Sequence, residues 1–420
     1  MSDSVQVLGD HAAAAAANGS EPAPGMKWWG WGHEHISFTH EDKPALGPFI
    51  KRQIGLDVDD ATERPVPFEK LDIPAPELAT ELREALERAV GGGISTEPMD
   101  RVVHARGKSL RDLVLHRRGQ LGRLPDVVVR PRDEDEVSAV LHAALHADAV
   151  VIPFGGGTSI SGSLEAESSE ARSVISVDLG LLDKVLAIDD TSRLARVQAG
   201  VFGPHLEKQL NARGFTLGHY PDSFTHSTLG GWIATRSSGM QSDRYGDVAD
   251  LTRGLRVVTP SGMLVARPVP STSTGPSVRE MVLGSEGRLG IITEATVHVR
   301  RLPARRTILG YLFPTWAESL AAMRDIAASE ASPSVTRVSD ANETQFSFAT
   351  KKDDTLVDRL KSTALKAYLG RRRGFDLEAM FLSFIGFEGA DSYVSDQRKL
   401  VGRIVSRHGG ICIGEGPGAL

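Results

Sequence analysis

A chain of 420 residues, 40% hydrophobic and 24% charged, has the composition of a soluble globular protein with room for two or three domains. Its net charge of −6 gives no support to a nucleic-acid partner. The single Cys412 excludes a disulfide framework and a cysteine-based metal site and suits a reducing cytoplasm, and no metal-ligand set is read elsewhere.

The first 25 residues, with "HAAAAAANGSEPAPG", lack the features of a secretory or mitochondrial leader and read as a disordered tail or a start-site artefact. No window reaches about 18 uninterrupted apolar residues, so no transmembrane helix is expected. "MKWWGWGHE" (26–34) opens the folded sequence as an aromatic anchor, and "APELATELREALERAV" (75–90) predicts an amphipathic helix closed by "GGG". These belong to an N-terminal helical region over 26–120. From 121 to 304 the texture is that of an α+β domain. "DVVVRP" (126–131) predicts a strand, "DEDEVSAVLHAALHADA" (133–149) a helix with an acidic first turn, and "VVIPF" (150–154) a second strand. Further strands are expected over 173–179, 184–190 and 194–200, a helix over 201–214, a hairpin over 255–265 and a half-buried strand over 290–302. A second module over 305–420 holds helices at 314–329 and 355–369. The short basic runs, Arg300-Arg301 with Arg305-Arg306 and Arg371-Arg372-Arg373, read as solvated faces.

Chemistry concentrates in three glycine- and hydroxyl-rich segments. In "VIPFGGGTSISGSL" (151–164) a strand runs into glycines that let backbone N–H groups converge on an anion. The spacing excludes two common phosphate sites. A dinucleotide fingerprint counted from Gly155 would need glycine where Ile160 stands, and a P-loop counted from Gly157 would need lysine where Ser163 stands. The second segment, 218–250, offers hydroxyl and backbone donors at Thr228, Gly230-Gly231, Thr235, Ser237 and Ser238, and a guanidinium fork at Arg236. In the third, 283–297, Gly284, Gly287 and Gly290 bracket Glu286.

The ordered set "PFGGGTS", "GHYPDS", "STLGGWIATRSSG", "YGDVADL", "VTPSG", "STGP" and "GSEGRLGIITEA" resembles the vanillyl-alcohol-oxidase/p-cresol-methylhydroxylase class of FAD-binding domain. Within that class, "MKWWGWG" and "RGKSLRDLVLHRRGQLGRLPDVVVRP" make the chain most similar to the alkyldihydroxyacetonephosphate synthase (alkylglycerone-phosphate synthase) family. The resemblance implies a two-subdomain FAD-binding fold followed by an incomplete α+β cap. It implies FAD as cofactor, with Gly155, Gly156, Gly157, Thr158 and Ser159 around the pyrophosphate, flanked by Phe154 and Ile160. The second FAD segment would be Pro221, Asp222, Ser223, Ser227 and Thr228 with Gly230 and Gly231. The third would be Thr235, Arg236, Ser237 and Ser238. The fourth would be Glu286, Gly287, Leu289, Gly290, Ile291 and Ile292. Relatives with a covalent flavin carry a histidine in the first loop. Thr158 and Ser159 stand there instead, which implies non-covalent FAD.

The family exchanges the acyl chain of acyl-dihydroxyacetone phosphate for a fatty alcohol in ether-lipid synthesis, the flavin N5 trapping the dihydroxyacetone carbon without net redox change. By resemblance His219 faces the flavin and Arg337 is the active-site arginine of the cap, a fixed cation for substrate phosphate or enolate charge. Leu356, Leu360, Ala364 and Ala367 form a helical stripe beside Lys361 and Lys366. It reads as core packing of the cap, with peripheral membrane contact as the alternative, and a homodimer is implied for the complete protein. The family pattern continues where "VSRHGGICIGEGPGAL" ends, and that further stretch carries a catalytic tyrosine, a histidine cluster and a substrate-binding arginine. A truncated homologue with impaired turnover is therefore expected. Two other readings stay open: a FAD-dependent 2-hydroxy-acid dehydrogenase of the lactate/glycolate type, and a non-catalytic FAD-binding remnant.

Overall fold

The computed structural model describes residues 26–32, 40–60, 64–350, 368–371, 373–377 and 379–415. The expected N-terminal tail and the helical stripe of 355–367 lie outside them.

Four strands form the first sheet: β1 (Ile94–Ser95), β2 (Val127–Val129), β3 (Val150–Phe154) and β4 (Val174–Asp178), in the order β1-β2-β4-β3. β2, β4 and β3 are parallel, and β1 is an antiparallel edge. The valines of β2 are fully buried because helices cover this sheet. Helices Thr80–Val90 and Glu134–His146 pack Leu82, Leu86, Val137, Val140 and Leu141 over β2 and β4. Asp133 caps the second helix, its carboxylate accepting the Glu136 amide at 2.9 Å. The first helix starts at Thr80 rather than near residue 75. Pro76 disfavours helix at the preceding residue, and the Glu77 amide is already given to Asp126 at 2.8 Å. Asp126, fully buried, also accepts from the Val174 amide and from Arg123. Residues 80–95 supply a helix and an edge strand to this sheet, packing on strands that follow residue 121.

The chain then forms β5 (Val185–Asp189), β6 (Leu194–Gln198), the short β7 (Phe215–Thr216), β8 (Thr252–Thr259), β9 (Gly262–Ala266) and β10 (Ile291–His298). Five of these make an antiparallel sheet, β5-β6-β10-β8-β9. Its buried face packs on helices Gly203–Asn211 and Leu229–Thr235 through Leu206, Leu210, Trp232 and Ile233. The expected single strand over 290–302 is two: after His298 the chain leaves the sheet, and β11 (Arg300–Arg301) pairs with β7.

The second module holds β12 (Arg305–Phe313), β13 (Val335–Val338), β14 (Phe381–Gly389) and β15 (Ile411–Gly414), ordered β13-β14-β12-β15 and antiparallel throughout. Helices Trp316–Ala327 and Asp391–Arg407 bury Ala322, Ile326, Val394, Val401 and Ile404 against Phe313, Ile385 and Phe387. No helix among the described residues is long and apolar enough to cross a membrane.

Candidate functional site

The glycine loop leaves the carboxyl end of β3, where parallel sheets place ligands. Phe154 is buried, its ring 4.0 Å from that of His104, which shares Asp178 with Arg130 at 3.3 and 3.2 Å. Burial works to raise the Asp178 carboxyl, but these two partners outweigh it and hold the group below its ordinary range. The strand end beneath the loop is thus fixed by a satisfied charge cluster.

The glycines are required by approach. A Cβ on Gly155 would overlap Thr228 Oγ1, and one on Gly156 would overlap the His226 carbonyl oxygen. Gly157 has φ +67° and lies against the Phe154 ring. The loop then turns under Lys108, whose amide donates to the Ser159 carbonyl at 2.7 Å, and Gly107 leaves no room for a side chain there. Ser159 Oγ lies 2.9 Å from Ser163 Oγ, and the Ser161 hydroxyl donates to Glu286 at 3.0 Å. Thr158 is half-buried and Ile160 is 73% exposed.

The second segment reaches the loop through residues 226–228. Thr228 caps helix Leu229–Thr235 by accepting the Gly231 amide, and Gly230 is pressed on Ala199 of β6's exit, so the helix lies close on the sheet. Ser223, Ser227 and Trp232 form a chain of hydrogen bonds, the indole N–H giving 2.6 Å to Ser227 Oγ. His219 is 1% exposed. Its Nε2 is 2.9 Å from Ser237 Oγ, its ring is 5.1 Å from Trp232, and its Nδ1 has no hydrogen-bond partner. Burial pushes the imidazole down to about 4, opposed weakly by Asp247. Pro221 is buried, while Asp222, Thr235, Arg236 and Ser238 face outward. Arg236 ends the helix at φ +53° and pairs with Glu280 at 3.1 Å.

The fourth segment docks on the end of the same helix: the Gly284 and Glu286 amides donate to the Ile233 and Ala234 carbonyls. Gly287 lies against the Pro153 ring, and a Cβ on Gly290 would sit 2.5 Å from the Val258 carbonyl oxygen. Leu289 is exposed, whereas Ile291 and Ile292 are buried in the two cores with their backbones paired to β8. Their side chains serve packing and are not available to a ligand. Arg337 stands apart on β13 of the second module, half-exposed and paired with Glu343, on a strand packed beside residues 242–245.

Sequence reasoning missed His104, Arg130 and Asp178, and also Gly107 and Lys108. Trp31, read from the sequence as part of an aromatic anchor, has its ring 5.9 Å from that of His226. The signal for Gly107 and Lys108 was present in "RGKS", a polar run with glycine before a capped helix.

Three chain segments therefore meet with glycines at the close approaches, hydroxyls gathered at Ser159 and Ser161, apolar Ile160 and Leu289 left open, and a buried imidazole nitrogen without a partner. A flavin dinucleotide fits this set: glycine backbone for pyrophosphate, open apolar side chains for ring systems, and a ring nitrogen awaiting a polar group.

The parallel sheet with its glycine loop, the antiparallel sheet and the α+β cap define a flavoprotein of the FAD-binding class to which p-cresol methylhydroxylase belongs. The FAD binding domain family matches residues 125–266, and the C-terminal domain of FAD-linked oxidases matches residues 302–415. The p-cresol methylhydroxylase structure superposes with a TM-score of 0.59 at 15% identity, over 81% of this chain and 67% of that one, and shows the fold. An alkyldihydroxyacetonephosphate synthase of Dictyostelium discoideum is 38% identical over 94% of this chain and 68% of its own length. A solved alkyldihydroxyacetonephosphate synthase superposes with a TM-score of 0.84 at 35% identity, over 94% of this chain and 76% of that one. The chain belongs to the alkyldihydroxyacetonephosphate synthase family.

Proposed function

We propose that this chain holds FAD non-covalently between residues 154–161, 219–238 and 284–290. We further propose that it exchanges the acyl group of acyl-dihydroxyacetone phosphate for a fatty alcohol, giving the alkyl ether and a fatty acid. The observation that carries the reading is the 38% identity to the Dictyostelium synthase, which runs through both modules over 94% of the chain. When bound, the flavin supplies a centre that accepts and returns the substrate carbon without net electron transfer.

The chain's own residues do the rest. Backbone N–H groups of Gly155–Ser159 bind the pyrophosphate, with no fixed cation needed at the glycines. His219, uncharged at neutral pH, presents Nδ1 as the atom at which a proton is held or passed. Arg337 contributes a fixed positive charge for phosphate, released from Glu343 when a stronger anion arrives. Peripheral membrane contact and a homodimer belong to the same reading and are supported by the family resemblance.

Acid precipitation of the purified protein is expected to leave the yellow cofactor in the supernatant, because Thr158 and Ser159 provide no nucleophilic ring nitrogen. Colour in the pellet would contradict this. The exchange is tested by incubating the FAD-loaded protein with acyl-dihydroxyacetone phosphate and labelled fatty alcohol. Label in the alkyl product, with one fatty acid released per label and no bleaching of the flavin, is the outcome that identifies the exchange. Bleaching by lactate or glycolate without label transfer would replace this function with a dehydrogenase.

A further inference from the structure

Behind His219 the fold assembles ionisable side chains from both modules. Glu207, on helix Gly203–Asn211, is 7% exposed and faces inward. Its carboxylate accepts from Thr216 Oγ1 at 2.7 Å, the Leu217 amide at 2.9 Å and the Gly218 amide at 3.3 Å. These are the last residues before His219. Gly218 turns at φ +75°, its α-carbon so close to the Tyr245 ring that a Cβ would lie 2.8 Å from it. The residue after His219, Tyr220, gives its carbonyl to the Met240 amide, and its ring lies tilted with its centroid 4.8 Å from that of Phe224.

Over that same tyrosine ring, at 5.6 Å, lies the guanidinium of Arg306 from β12, the first strand of the second module. Arg306 Nε donates to Glu388 Oε2 at 2.7 Å, directly across the β12–β14 ladder. Glu388 is 1% exposed, and its backbone carbonyl accepts from Arg244 Nη1 at 2.6 Å. Glu207 on the helix and the Arg306–Glu388 pair on two strands of the cap thus bracket the His219 segment. Glu388 is buried while the Arg306 side chain is partly exposed; the desolvation of the carboxylate offsets the attraction, so such a pair adds little net stability, whereas it specifies one geometry well.

We infer that Glu207, Arg306 and Glu388 are positioning residues that lock segment 216–220, and with it His219, to the first two paired strands of the second module. Glu207 fixes the segment from the helix side and Arg306 fixes it from the cap side. The imidazole therefore takes its place only when the two modules are docked. The inference rests on His219 belonging to the cofactor site.

The test uses the FAD-loaded protein with ¹³C-labelled histidine, the His219 signal being identified by its absence in His219→Asn. Asp247 is the charged group that acts on this imidazole in the wild type. In Arg306→Met the loosened segment admits water, and the His219 titration moves up toward the ordinary value of about 6.5. Arg306→Lys restores most of the wild-type value. Glu388→Gln separates positioning from simple electrostatics. Loss of an anion alone would lower the imidazole pKa, whereas loss of positioning raises it, and a rise is expected. Glu207→Gln, acting on the helix side, moves it the same way. An unchanged or lowered His219 titration in folded Glu388→Gln and Arg306→Met would overturn the inference. So would loss of folding in the isosteric Glu388→Gln, which would assign the network to stability. Because the readout is the histidine and not a product, absence of alkyl exchange in the wild type would leave this result standing.

Discussion

Gly156→Val is expected to abolish flavin retention. A Cβ at this position overlaps the His226 carbonyl oxygen and comes within 2.9 Å of Ser227 Cα, so the obstacle is backbone and not a side chain that can rotate away. The opposing backbone has little freedom. The Ser227 carbonyl accepts the Gly203 amide, the Leu229 amide donates to Val201, and the Gly230 amide donates to Ala199 at 2.7 Å. Relief must therefore come from the glycine loop, whose N–H groups then lose their common aim. Overpacking of this kind costs roughly 1–3 kcal/mol or more, and about 1.4 kcal/mol is tenfold in affinity. A loss of roughly 5- to 150-fold in FAD affinity follows, which reads as colour loss after desalting. Gly402→Val is the matched control, since it lies in helix Asp391–Arg407 with nothing within 4 Å of its Cβ position. Yellow Gly156→Val protein, or equal colour loss in Gly402→Val, would refute the assignment.

The parts of the fold that were legible in the sequence are those governed by local rules. The Asp133 cap with its acidic first turn marks helix Glu134–His146, and the Pro260-Ser261-Gly262 turn marks the β8–β9 hairpin, which turns between Thr259 and Gly262. The glycines after β3 were legible because close backbone approach admits no other residue. What failed were decisions made by distant partners. Helix Thr80–Val90 loses its expected first turn because Asp126, 49 residues on, takes the Glu77 amide. The side chains of Ile291 and Ile292, which follow Gly290, are committed to two cores by strand pairing with β8, a placement that no short window shows. Arg306 sits in a basic run that reads as a solvated face and is part exposed, but the β12–β14 register shows that it also meets a buried glutamate. Local chemistry thus indicates where a ligand can lie, while the residues that hold the site in place come from pairings that no short window contains.

Acid stability is expected to distinguish His219→Asn from the wild type in the flavin-free protein. Burial at 1% exposure is the main reason the imidazole is held at about 4, well below its ordinary value. Between the ordinary value of about 6.5 and this depressed value, the unfolded chain binds a proton at His219 that the folded chain refuses. Stability therefore falls as pH drops through that window, and below it both states carry the proton and the penalty no longer grows. A depression of this size corresponds to about 3 kcal/mol, one pKa unit being about 1.4 kcal/mol. Carboxylates titrate in the same range but are common to both proteins and cancel in the difference. Asparagine keeps a polar group for Ser237 Oγ, which removes the titration without leaving that hydroxyl buried and unpaired. Urea unfolding at a series of pH values should show the wild type losing about 3 kcal/mol more than the variant between pH 6.5 and 4. Parallel stability curves would mean that the folded chain takes up this proton as readily as the unfolded one, so that the ring is solvated. The buried, partnerless Nδ1 assigned above to proton handling would then not exist.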